Sequence, residues 1–214
     1  MRTYPIFAAG AAAVLSLSSC GGPEALTLPT ERVDRAATCG VVAAAEARLA
    51  ASAGALPLRA QGRILHYVLL AASSEGGFSR DTATAVNARM QALQDRVTSG
   101  KWQDLAPACR QAFAVAEKTE VELPSARFDA QIQCEELAEF TADSLKGQAG
   151  SYANEIGAYR RLRGQLNDAM AGPLRQRAGA SLDAQREERS RALAAAAQLG
   201  SPVPVLDACL SRFD

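Results

Sequence analysis

Four acidic residues lie close together in one stretch of this 214-residue chain: Glu135, Glu136, Glu139 and Asp143. On a helix, residues four apart share a face, so Glu135 with Glu139, and Glu139 with Asp143, form stacked carboxylates. Paired carboxylates can do acid–base work on a glycosidic bond when their environments split their proton affinities, and they can also hold a cation. The simpler role is a solvated acidic face that meets basic helices, with Arg160, Arg161, Arg163, Arg175 and Arg177 as counter-charge. His66 is the chain's one histidine, set among Ile64, Leu65, Tyr67 and Val68. No nucleophile elbow accompanies it, so it reads as a structural residue of an apolar helix face. No CxxCH is present, so covalent haem is not expected, nor is another cofactor. Trp102, the one tryptophan, opens a helical stretch and reads as core.

The elements that would position these groups are helical. Hydrophobic residues make up 48% of the sequence, with aromatics at only 5% and alanine abundant. Alanine favours helices, whereas β-branched and aromatic residues favour strands. The expected fold class is all-α, a helical bundle. A first helix runs from about Glu31 to Ser52, capped by Thr30, and a second starts at Pro57 and ends at Gly76-Gly77. Ser79 caps a third, whose Ala83, Val86, Met90, Leu93 and Val97 step by three and four. A fourth carries Trp102, Leu105, Cys109 and Ala116. Ser125 caps a fifth, and Ser151 a sixth that stops at Gly172-Pro173. A seventh runs from Pro173 to Leu199, and a short eighth holds Val205, Cys209 and Phe213.

Lys plus Arg and Asp plus Glu balance at 23 each, so no overall field draws the chain to nucleic acid, and no nucleic-acid partner is expected. The N-terminal residues have a different character. Arg2 is the only charge before an uncharged run of twelve residues, Ile6 to Leu17. As a helix that run is roughly 18 Å long, short of the roughly 30 Å of a hydrocarbon core, so it reads as an export signal.

That run leads into Leu17-Ser18-Ser19-Cys20, which resembles the lipobox of bacterial lipoproteins: a branched apolar residue, two small residues and a cysteine. The resemblance covers the first twenty residues only. It implies cleavage before Cys20, a diacylglycerol on the Cys20 sulfur and an acylated amino terminus. Residues 1–19 are then a signal peptide and residues 20–29 a lipidated tether. Two or more acyl chains give stable attachment where one gives reversible binding. In such lipoproteins an Asp after the lipidated cysteine favours the inner membrane. Gly21 stands there instead, which implies the outer membrane, with the chain facing the periplasm.

Export also implies an oxidising compartment for Cys39, Cys109, Cys134 and Cys209. Four cysteines allow three pairings, and an internal repeat selects one. Cys39 and Cys109 are 70 positions apart, Cys134 and Cys209 are 75. Leu105, Cys109 and Phe113 match Val205, Cys209 and Phe213, each an i−4, i, i+4 stripe. The repeat therefore predicts Cys39–Cys109 and Cys134–Cys209, closing two similar four-helix units at 30–118 and 125–214 around a connector at 119–124. Scattered cysteines without neighbouring histidine make a metal site the weaker alternative, and none is expected. The functional expectation is a lipid-anchored envelope protein that binds a partner, either an envelope protein or the cell wall, without catalysis. A wall-directed enzyme using the carboxylates, and a small-ligand carrier with a pocket between the units near His66 or Trp102, are the alternatives.

Overall fold

A computed structural model describes residues 25–51, 53–118 and 120–213. The signal peptide, Cys20 and the first part of the tether lie outside the described residues. The architecture is an all-α bundle of α1 (Arg32–Ala50), α2 (Leu58–Ala72), α3 (Arg80–Ser99), α4 (Ala106–Ala112), α5 (Arg127–Leu145), α6 (Ala149–Ala178), α7 (Leu182–Ala196) and α8 (Pro202–Phe213). In each half the first helix is the hub. α1 packs against α2 and α3, and α5 packs against α6 and α7. Both predicted disulfides are present: Cys39–Cys109 joins α1 to α4, with Cα atoms 5.4 Å apart, and Cys134–Cys209 joins α5 to α8, with Cα atoms 5.8 Å apart. Such bonds persist in an oxidising compartment.

Several helix ends differ from the sequence expectation, each for a local reason. Glu31, not Thr30, caps α1, its carboxylate accepting from the Asp34 amide at 3.0 Å. Pro57 precedes the first turn of α2 as its cap residue. Ser125 does not cap α5. The guanidinium of Arg212 on α8 donates to the carbonyls of Pro124 and Ser125, and Ala126 takes the cap position. Ser151 lies in the opening turn of α6, which starts at Ala149 after a 3₁₀ turn at Lys146–Gln148 and kinks at Tyr152 (φ −130°, ψ 31°), so the regular run of the helix begins just past Ser151. α6 does not stop at Gly172-Pro173 but passes through Pro173 to Ala178, and α7 starts at Leu182. Tertiary contacts hold those last turns: Leu174 is buried, and Arg177 pairs with Asp129 at 2.8 Å and Glu188 at 3.1 Å. The predicted fourth helix is three pieces, 3₁₀ turns at Trp102–Leu105 and Ala114–Glu117 flanking α4. Ser79 does cap α3, accepting from the Thr82 amide.

The Gly76-Gly77 stop is part of a small antiparallel hairpin, β1 (Ser73–Ser74) and β2 (Gly77–Phe78). Two-residue strands are too short to leave a periodic signal. Gly77 has φ +116°, a conformation glycine adopts freely, and a Cβ there would sit 2.6 Å from Ser190 Oγ. That closeness lets Ser190 accept from the Phe78 amide at 2.8 Å and donate to the Phe78 carbonyl at 3.1 Å. The hairpin of the first half is thereby fixed to α7 of the second.

One continuous core runs through both halves. It is built largely from alanine, valine and leucine, with Tyr67 and Tyr159 among its largest fully buried side chains. Close approach compensates for small side chains. Gly62 of α2 leaves room for Val203 of α8, whose Cγ2 would be 2.7 Å from an added Cβ. Across the same seam, the buried Tyr152 hydroxyl donates to the Leu56 carbonyl.

Candidate functional site

The acidic residues of α5 do not form a free patch. Glu135 is 1% exposed, and its Oε2 accepts from Nη1 of Arg189 on α7. The same Nη1 donates to Glu136 Oε1 at 2.7 Å, and Nη2 donates to Asn167 Oδ1 at 3.1 Å. Glu139 pairs with Arg163 of α6 at 3.2 Å. Asp143 is exposed, one turn further along. Of the arginines expected as counter-charge, Arg163 serves this cluster and Arg177 serves Asp129 and Glu188. The principal partner, Arg189, was not foreseen. Its place in the run Arg186-Glu187-Glu188-Arg189 suggests pairing within α7, and only the packing of α7 on α5 turns it toward Glu135.

Burial shifts the proton affinities in this cluster. Desolvation pushes Glu135 up to about 7, with Arg189 pulling the other way and Glu136 adding to the rise. Glu136 is raised too, again by burial against the pull of Arg189. Glu135 Oε1 has no hydrogen-bond partner among the described residues. These groups, with Phe78, Arg80 and Ser190, line a cleft of about 530 Å³.

His66 is fully buried, its Nε2 donating to the Ala197 carbonyl at 2.8 Å while Nδ1 has no partner among the described residues. Burial drives its pKa down to about 4, so the ring is neutral at pH 7, and it does not line the 810 Å³ groove walled by Trp102. Its role is to hold α2 against the end of α7.

Trp102 is buried in the core and also walls a groove of about 810 Å³. The floor is apolar, from Val41, Ala44, Ile64, Leu65 and Met90. The rim is neutral and polar, from Gln61, Asn87, Gln91, Gln94 and Gln148, with Arg48 the one charged side chain. Leu49, at its edge, is 74% exposed. Ser144 and Gln148 come from the second half, so the groove opens where the halves meet. The sequence pointed to Trp102 but not to the amides of α3, which carry no motif.

Among the described residues there is no cluster of His, Cys, Asp and Glu suited to a metal ion, and no helix long and apolar enough to cross a membrane. Compared with known proteins, the chain matches no family model, and neither a curated protein nor a solved structure is similar to it.

Proposed function

We propose that this chain is a lipid-anchored protein of the cell envelope, held by Cys20 in the outer membrane facing the periplasm, that works by binding and not by catalysis. The observation that carries the binding reading is the 810 Å³ groove: its size suits a ligand site, its floor is apolar, and its rim offers hydrogen bonds almost without charge. The anchoring rests on Leu17-Ser18-Ser19-Cys20 and agrees with two disulfides that need an oxidising compartment.

Cys20→Ala tests the anchor by fractionation: the variant is expected in the soluble fraction, and membrane retention at wild-type level removes lipid as the attachment. A photocrosslinker at Gln91, inside the groove, tests the binding. It is expected to capture a specific species in intact cells that the same crosslinker at exposed Leu182 does not. Equal capture from both positions argues against the groove.

The enzyme alternative rests on Glu135, whose raised pKa suits a general acid near neutrality. Its burial and its bond to Arg189 keep it from a substrate, which is why binding is preferred. Wall-hydrolysing activity lost in Glu135→Gln, Glu136→Gln and Glu139→Gln, with folding intact, would reverse that preference.

A further inference from the structure

The outer face of α6 carries charges that this chain leaves unpaired. The buried residues of α6, from Ile156 to Leu174, pack toward α5. Along the opposite, solvent side run Gly157, Arg161, Gly164, Asp168, Gly172 and Arg175, stepping by four and three over about 27 Å. Arg161, Asp168 and Arg175 are exposed, and none has an ion-pair or hydrogen-bond partner among the described residues. Arginines on other helices find carboxylates, as Arg59 does in Asp207 and Arg89 in Asp34. Within α6 the spacing rules that out. The charges are seven residues apart, about 10 Å along the axis, whereas pairing on one helix needs three or four. The positions three and four away from each charge are glycine, alanine or glutamine.

The residues between those charges add an independent observation. Glycine is the poorest helix former except proline. A Cβ at Gly164 or Gly172 would meet nothing within 4 Å, and one at Gly157 only the guanidinium of Arg161 at 3.5 Å. Alanine would fit at all three, so nothing inside the fold calls for glycine there. What glycine provides on that side is bare backbone. A second helix can then approach to the near end of the usual interaxial range of about 8–10 Å.

We propose that α6 pairs with α6 of a second copy of this chain, antiparallel about a two-fold axis near Gly164. That axis lies midway between Arg161 and Asp168, so each Arg161 faces the partner's Asp168 and the contact is made twice. Gly157 of each copy falls opposite the partner's Gly172. Arg175 falls opposite the partner's Asn154, an exposed amide without a partner among the described residues. Arg160, about 100° round the helix from Arg161, stays in solvent beside the seam. A parallel pair in register would set Arg161 against Arg161 and Asp168 against Asp168, which disfavours it. An anionic membrane surface is disfavoured too, because Asp168 sits at the centre of the face that would meet it. The groove takes no side chain from α6, so this inference rests neither on the binding reading nor on the anchor.

The test uses two differently tagged copies of the full chain made in the same cells, one carrying a photocrosslinker at Gln165 beside the seam. A crosslinked dimer bearing both tags is expected. Arg161→Asp in both copies, or Asp168→Arg in both, sets like charges against each other and is expected to lower its yield at least tenfold. Arg161→Asp in one copy with Asp168→Arg in the other restores opposite charges at both contacts and should recover the wild-type yield. That recovery also shows that the single variants fold. Gly164→Leu, for which the single chain has room, should lower the yield at least tenfold with the amount of chain unchanged. Failure to capture the second tag, equal yields from the like-charged and complementary combinations, or capture of lipid or of another protein in its place overturns the proposal.

Discussion

Arg189 of α7 bonds Glu135 of α5 across 54 residues of sequence, and the carboxylate end of that bond is 1% exposed. Removing one partner of a buried pair costs more than the pair contributes, because the survivor is left charged and desolvated. Arg189→Met is expected to destabilise the fold by about 3 kcal/mol, the low end of the range, since Arg189 keeps 24% exposure. Glu135→Gln with Arg189→Met should recover part of the loss, with a coupling of at least about 1 kcal/mol in urea melts at pH 8. A single-variant loss within about 0.5 kcal/mol, the range of ordinary surface substitutions, would show the pair to be dispensable.

Two buried groups give stability opposing pH dependences. Glu135 is raised from 4.5 to about 7, so the folded state holds its proton where the unfolded state has released it. Its contribution is fully present below 4.5 and is lost as pH rises toward 7. His66 is lowered from 6.5 to about 4, so its contribution is present above 6.5 and is lost as pH falls toward 4. The wild-type profile should therefore be shallow between pH 4.5 and 6.5. Glu135→Gln should leave stability rising with pH across that window, and His66→Gln should leave it falling. Parallel profiles for the two variants in urea titrations would contradict the assignment.

The disulfides close loops of 70 and 75 residues. Loops of that size give roughly 4 kcal/mol each on chain-entropy arithmetic, a large share of a domain's typical 5–15 kcal/mol. Cys39→Ala with Cys109→Ala should lower the melting temperature by about 8–16 °C. Non-reducing peptide mapping of the wild type should recover Cys39 joined to Cys109 and Cys134 to Cys209. A crossed pair, such as Cys109 with Cys134, would contradict the structure directly.

Periodic burial was legible in the sequence, and so was the bonding of the sulfurs. Of the stripe Ala83, Val86, Met90, Leu93 and Val97 on α3, all are buried but Met90, which is half-buried, and the repeat chose both cysteine pairs. These signals are local, or recur at a fixed interval. Arg189 was missed because an ion pair between helices depends on how they pack, which no spacing within either helix reveals. The stop placed at Pro173 failed for a related reason: proline removes one helical hydrogen bond, but contacts from Leu174 and Arg177 outweigh that loss. The groove was invisible because the polar part of its α3 wall is glutamine, asparagine and threonine, residue types that on any exposed helix would pass as ordinary surface.

The seam between the halves is stitched in both directions. Leu56 and Phe78 of the first half take hydrogen bonds from Tyr152 and Ser190 of the second, and His66 gives one to Ala197. Every one of these links closes a buried or half-buried polar group that would otherwise face its own apolar interior. A chain cut in the 119–124 connector would therefore not yield two autonomous modules. It would yield complementary fragments, each deficient alone and each carrying the template that completes the other.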